Sequence, residues 1–229
     1  MNVNKEGKLY IVSTPIGNLE DITFRAIKVL STVDLILCED KRRTKILCSH
    51  YNINTPLKSY YSYIEQKRVQ EIIPYIKEGH DVALVSDSGT PGISDPGFLI
   101  VKNCIEENIP VSPIPGPTAF VSAVVCSALP LDRMLFLGFI PKKEGKIKKL
   151  FEYVKGLKKT TVIFYESPKR IKKTLQILIE LFGENIRCVL ARELTKIYEE
   201  FIRGNLKEVF EKISSVEPKG EFVVMLYIE

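Results

Sequence analysis

The feature that most constrains this chain is an alternation: short apolar runs, each halted by a loop rich in Gly, Pro, Ser, Thr or charged residues, with helical segments between them. Leu9-Tyr-Ile-Val-Ser13 stops at Thr14-Pro-Ile-Gly-Asn18, and Val33 to Cys38 ends in Glu39-Asp-Lys-Arg-Arg-Thr44. Val82-Ala-Leu-Val-Ser86, the clearest buried strand, runs straight into Asp87-Ser-Gly-Thr-Pro-Gly-Ile-Ser-Asp-Pro-Gly97, and Val111 to Ile114 supplies another strand. β-Branched runs bounded by turn residues predict strands. Between them, Asp21 to Leu30 places Ile22, Ala26, Ile27 and Leu30 on one helical face. Ile64 to Lys77 is helical by period, with a kink expected at Pro74, and Phe98 to Glu107 is a third helix. Such alternation predicts an α/β fold with parallel strands and helices on both faces. Loops leaving the carboxyl ends of such strands line the ligand crevice, so the site is sought there.

Three prolines within Pro113-Ile-Pro-Gly-Pro117 resist helix and strand alike and mark the expected boundary, giving domains 1–114 and 115–229. The second half opens on an apolar helix, Thr118 to Leu129. Strands follow at Leu135–Ile140, Thr160–Tyr165, Ile186–Ala191 and Phe222–Ile228, with basic helices at 144–155 and 168–182. Ser167 is placed to cap the latter with Pro168 at its first position, and Asn205 to cap a last helix ending near Ile213.

With 45% hydrophobic and 27% charged residues, the 229-residue chain has material for a packed core. No apolar run approaches the ~18–20 residues that span a bilayer. Met1 to Lys8 carries no hydrophobic signal core, so a cytoplasmic location is expected. Five scattered cysteines without a Cys-x-x-Cys pair argue against a disulfide framework and against structural zinc. Only His50 and His80 are available, so neither a His base nor a His-rich metal site is expected, and no metal is assigned. The net charge of +5 is uneven: residues 1–112 hold 13 Lys/Arg against 14 Asp/Glu, and residues 113–229 hold 20 against 14. Within 142–173 there are 12 basic and 3 acidic residues. A concentrated positive surface attracts polyanions, although a solvated lysine-rich helix face is the plainer reading of the same run.

Gly-x-Gly-x-x-Gly after a strand, a Walker A loop and Gly-x-Ser-x-Gly are all absent, so the strand-end loops must hold their ligand another way. Asp87 to Gly97 combines three glycines and two prolines with hydroxyls and two aspartates. Glycine lets backbone N–H and C=O groups approach a ligand closely and adopt positive φ. Backbone amides can read an adenine edge, and Asp and Thr oxygens can hold a ribose or an ammonium. Tight turn packing alone could explain one such loop, but explains several together less well.

These loops carry a resemblance. Thr14-Pro-Ile-Gly-Asn18, Glu39-Asp40-x-Arg42-Arg43-Thr44, the whole of Asp87–Gly97, Pro115-Gly-Pro-Thr118, Phe164-Tyr-Glu-Ser-Pro-x-Arg170, Ala191-Arg-Glu-Leu-Thr-Lys196 and Gly220-Glu-Phe222 occur in order. The set resembles the tetrapyrrole-methylase superfamily and, within it, the ribosomal RNA small subunit methyltransferase I family. It covers nearly the whole chain, with Ser88 where alanine is usual and Lys41 where threonine is usual. The resemblance implies a two-domain α/β fold, with a mainly parallel N-terminal sheet and a mixed C-terminal one. It also implies a homodimer and S-adenosylmethionine in a cleft between the domains. Pro15, Ser88, Gly89, Thr90, Ile93, Ser94, Thr118 and Ala119 are the implied cofactor contacts, with Tyr165, Arg192 and Glu221 from the second domain. The implied reaction is methylation of a cytidine 2′-hydroxyl in the decoding region of 16S rRNA, free or within the 30S subunit.

A ribose hydroxyl is a weak nucleophile and needs a base, or a cation beside the developing alkoxide. Lys196, Glu166, Arg170, Asp40 and Arg43 are the catalytic candidates, with Arg192 beside them; all are expected on loops, where interdomain salt bridges are their alternative role. Lys196 as base would require a depressed pKa. Arg42, Arg43, Lys45, Lys142, Lys143, Lys146, Lys148 and Lys149 are the expected RNA-phosphate contacts, and Tyr60, Tyr61 and Tyr63 are possible stacking platforms. The competing readings are methylation of a small molecule such as a corrin or tetrapyrrole, and a non-catalytic RNA-binding assembly factor.

Overall fold

The computed structural model describes residues 6–229, so the first five residues of the stretch read above for a signal core lie outside the described residues. The chain divides into two compact units, Met1–Thr118 and Ala119–Glu229.

The first unit runs β1 (Leu9–Val12), α1 (Phe24–Thr32), β2 (Leu35–Cys38), α2 (Lys41–His50), β3 (Leu57–Ser59), α3 (Glu65–Lys77), β4 (Val82–Leu84), α4 (Phe98–Glu106) and β5 (Val111–Ile114). Its five strands are all parallel, in the order β3-β2-β4-β1-β5. Side chains alternate along a strand, so every strand supplies both faces. Leu9, Leu37, Val82 and Leu84 pack with Val69, Ile72 and Ile76 of α3 and with Ile100 and Cys104 of α4. Val12, Ile36, Cys38 and Ala83 pack with Ala26 and Leu30 of α1 and with Leu47 and Cys48 of α2. Burial on both faces is why these strands read as continuous apolar runs. Pro113 lies inside β5, which pairs only with β1 at the sheet edge, where a missing N–H is tolerated.

The second unit runs α5 (Ala119–Val125), β6 (Met134–Phe139), α6 (Glu144–Lys155), β7 (Thr160–Glu166), α7 (Ile171–Phe182), β8 (Arg187–Arg192), β9 (Glu200–Asn205), α8 (Leu206–Ser214) and β10 (Phe222–Ile228). Its sheet is mixed, in the order β6-β7-β10-β8-β9: β6 and β7 are parallel and the other pairs antiparallel. Val162, Phe164, Leu190, Val224 and Leu226 form its core with Phe151 of α6, Leu175 and Leu178 of α7, and Val209 of α8. The α/β class, with one parallel and one mixed sheet, is as expected.

Several expectations are corrected. The segment after Cys38 is not a loop throughout: Asp40 caps α2 by accepting the Arg42 N–H at 2.8 Å, and the chain is helical from Lys41. The strands β3 and β9 were not expected. The helix expected from Asp21 starts at Phe24, because the Thr23 hydroxyl caps Ala26 N–H and a separate turn occupies Leu19–Asp21. Ser167 does not cap a helix beginning at Pro168. Its N–H is taken by Glu166, its carbonyl accepts from Arg170 and Ile171, and α7 begins at Ile171 without a side-chain cap. Asn205 does cap α8, in a reciprocal pair with Glu208. The α3 helix is unbroken, with Pro74 in its last turn.

Candidate functional site

Four loops leave the carboxyl ends of the first unit's sheet and are tied to one another. Thr14 and Gly89 exchange backbone hydrogen bonds at 2.8 and 3.0 Å, joining the loop after β1 to the loop after β4. The Thr14 hydroxyl donates to Ser86 O (3.2 Å), and the Ser86 hydroxyl donates to Gly89 O (3.1 Å). The Thr90 hydroxyl lies 2.8 Å from Ser13 Oγ and 2.7 Å from Thr118 Oγ1, so three hydroxyls run from the β1 loop across the β4 loop to the β5 loop. Gly116 permits this closeness: a Cβ there would sit 2.9 Å from Ser13 Cβ. Gly89 (φ +85°) and Gly92 (φ +83°) turn the chain through the left-handed region open to glycine. A Cβ on Gly92 would meet nothing within 4 Å, so the space on that side of its Cα is open.

The acidic groups belong to the same frame. Asp87 Oδ1 accepts the Asp40 N–H (3.0 Å), Glu39 Oε1 accepts the Asp87 N–H (3.3 Å), and Arg43 Nε stands 3.7 Å from Asp87 Oδ2. Burial, with Glu39 and Asp87 nearby, pushes the Asp95 carboxyl up to about 7 against a weaker opposing bond from Ser86. Burial likewise raises Glu39. Asp40 is the opposite case. Hydrogen bonds from the Arg42 side chain and backbone hold it down at about 2, leaving a feeble base.

Pro15, Gly89, Thr90, Ile93 and Thr118 thus come together at one end of the first sheet, with Ser88 and Ser94 exposed on the same loop. Ser94 has φ +67°, a turn that the sequence did not announce. Sequence reading gave no role to Ser13 or Glu39; the position of Ser13 directly before one motif and of Glu39 at the head of another was the available signal.

In the second unit Ala119 opens α5, and the Tyr165 hydroxyl accepts the Phe120 N–H at 3.3 Å. Glu166 lies on β7, not on a loop, and is 1% exposed. It accepts from Ser167 N (2.7 Å) and Thr174 Oγ1 (2.7 Å) and pairs with Arg170 at 2.7 Å. Arg170 donates in turn to Pro141 O at 3.1 Å. Arg192 ends β8 and donates to Lys219 O (2.7 Å). Lys196 reaches Glu193 (2.9 Å) and Glu221 (3.0 Å). Partial burial would lower its pKa, but the two carboxylates outweigh that and raise it. The depressed pKa that a base requires is not met. Glu193 (φ +49°) and Thr195 (φ +64°) bend the chain around this ammonium.

Of the expected phosphate contacts, Lys142, Lys143, Lys146 and Lys149 are exposed around the start of α6, as are Arg42, Arg43 and Lys45 on α2. Lys148 is instead half-covered between Glu144 (3.2 Å) and Glu180 (2.9 Å). Tyr60 is fully buried with its hydroxyl bonded to Glu65, whereas Tyr63 is 98% exposed. Among the described residues no group of three or more His, Cys, Asp or Glu is arranged to hold a metal ion, and no helix is long and apolar enough to cross a membrane.

This pairing of a parallel sheet carrying hydroxyl- and glycine-rich strand-end loops with a mixed second sheet defines a class, the tetrapyrrole (corrin/porphyrin) methylases, whose family model matches residues 8–209. Solved structures agree on the fold. Cobalt precorrin-4 methyltransferase, a cobalamin biosynthetic enzyme, is 17% identical with a TM-score of 0.70, over 98% of this chain and 97% of that one. Uroporphyrin-III C-methyltransferase of Thermus thermophilus, complexed with S-adenosylhomocysteine, is 16% identical with a TM-score of 0.63, over 96% and 97%. Sequence relatives narrow the class. The ribosomal RNA small subunit methyltransferase I of Hydrogenobaculum sp. is 51% identical, over 96% of this chain and 95% of that one. The protein of the same name from Thermotoga maritima is 46% identical, over 96% and 98%. The chain belongs to the ribosomal RNA small subunit methyltransferase I family of tetrapyrrole methylases.

Proposed function

We propose that the chain transfers a methyl group from S-adenosylmethionine to small-subunit ribosomal RNA, at a cytidine 2′-hydroxyl in the decoding region of 16S rRNA. The observation that carries this reading is near-full-length similarity to relatives named for that RNA. When bound, the donor supplies a methyl group on a positively charged sulfur. The first unit's loops suit such a molecule: they offer open space beside Gly92, hydroxyls at Thr90 and Thr118, and a carboxylate at Asp87 for cationic groups. Pro15 and Ile93 add apolar cover.

Lys196 serves as an ammonium, not as a base. Two carboxylates keep its proton in place and take up two of its three N–H donors, so its contribution is the third, donated to the ribose oxygen as that oxygen's own proton passes to solvent water. Lys142, Lys143, Lys146 and Lys149 take RNA phosphates, which positions the strand without reading sequence. Holding nucleophile and methyl carbon in line accounts for much of the acceleration in such a displacement. The test is incubation with methyl-labelled donor and either 30S subunits or free 16S rRNA. Label is expected in one of the two; label in neither removes the reading.

A further inference from the structure

We propose that Phe139 is the platform on which an unstacked nucleobase of the RNA lies, and that Glu166 and Arg170, rather than acting on the reacting atoms, hold this platform in place. The inference rests on the RNA reading above.

Phe139 is a large aromatic left 62% exposed at the end of β6, an edge strand. Its direction is built into the backbone. The register between β6 and β7 shifts between Phe136 and Phe139, and Gly138 takes φ +62° inside that irregularity. Bulges of this kind re-aim a side chain and are enriched beside functional sites. Against the ring stands an aromatic cluster: Phe139 to Tyr165 at 5.3 Å, tilted, Tyr165 to Phe136 at 5.1 Å, edge-on, and Phe136 to Phe120 at 4.3 Å, stacked. Phe139 is thereby packed against Tyr165 while the residue as a whole stays open.

The segment that follows is clamped. Ile140 is buried, and the Arg170 guanidinium donates to Pro141 O at 3.1 Å and Ile140 O at 3.4 Å. Arg170 is itself fixed by the fully buried Glu166 carboxylate at 2.7 Å, whose other oxygen holds Thr174. A guanidinium anchored on a buried carboxylate and donating to two backbone carbonyls serves to fix that backbone. Lys142 and Lys143 come next, exposed, within four residues of the ring. An aromatic face beside two phosphate-seeking ammoniums is the pairing that recognises an unstacked nucleotide in RNA. Two exposed ammoniums beside the ring call for an anionic occupant, and RNA supplies both the anion and the base.

The chain has no tryptophan, so Phe139→Trp introduces a single reporter that also preserves stacking. Phe139→Ala and Phe139→Leu are expected to raise KM for rRNA roughly ten- to a hundredfold, the range for loss of one stacked base, with donor affinity unchanged by calorimetry. Phe139→Trp restores KM, and its fluorescence is quenched on titration with 16S rRNA. Arg170→Lys keeps the charge but loses the fork, and is expected to raise KM for rRNA while leaving the pH profile of kcat in place. Unchanged KM in Phe139→Ala, full rescue by Phe139→Leu, unquenched fluorescence or a shift in oligomeric state on Phe139→Ala each overturns the proposal. If the wild-type chain labels no RNA, the functional reading falls by itself, and quenching by RNA still decides the platform.

Discussion

Lys196 illustrates how a neighbour can reverse what a residue type promises. Partial burial works to lower its pKa, but Glu193 and Glu221 on either side more than restore its charge. Lys196→Met is expected to abolish methyl transfer while leaving donor affinity intact by calorimetry; normal turnover would contradict the role given to it. Asp95 responds in the other direction. Burial and the nearby Glu39 and Asp87 raise its carboxyl to about 7. The unfolded chain would release that proton near pH ~4. The folded state therefore holds the extra proton between the two values, and the associated stability is full at low pH and lost as pH rises towards about 7. Wild type should lose urea resistance relative to Asp95→Asn over that window, by at most ~1.4 kcal/mol per pH unit. Parallel curves for the two proteins would show that Asp95 ionises normally.

Strands whose two faces are both buried announce themselves in sequence, because every position must be apolar; Val82–Leu84 and Phe222–Ile228 are of this kind. The helix α2 does not. Lys41 to His50 buries only Thr44, Leu47 and Cys48, so no wide apolar stripe exists to be read, and the Asp40 cap is what starts it. The edge strand β9 is equally quiet, with Ile202 its one buried residue and Gly204 inside it. Site loops were readable as composition, but their cross-links were not. That Ser13, Thr90 and Thr118 share hydroxyl contacts depends on strand order, which brings the first and fifth strands side by side. Glu166 was misread as a loop group because the motif carrying it straddles the end of β7. The same packing makes Gly116→Ala informative. Its methyl group would crowd Ser13 at 2.9 Å, prising the β5 loop from the β1 loop. Overpacking of this sort costs ~1–3 kcal/mol, read as a lower thermal midpoint, and donor affinity should fall with it. An unaltered midpoint would mean that the two loops yield freely.

For the protein as a whole, charge asymmetry and fold have separate jobs. The excess positive charge lies in the second half, and its exposed part includes Lys142, Lys143, Lys146 and Lys149. RNA affinity is therefore expected to fall steeply with salt, and each of these lysines replaced by Ala should reduce the log–log slope by about 1. Lys148→Ala should leave that slope nearly unchanged, because Glu144 and Glu180 already balance its charge. A salt-independent affinity would detach the basic run from RNA. The proposed methyl transfer requires the donor to settle against the strand-end loops of the first unit. The most direct test is a crystal structure of the full chain soaked with S-adenosylhomocysteine. Density is predicted against the backbone around Gly92 and the hydroxyls of Thr90 and Thr118; density elsewhere, or none at saturating ligand, would contradict the account.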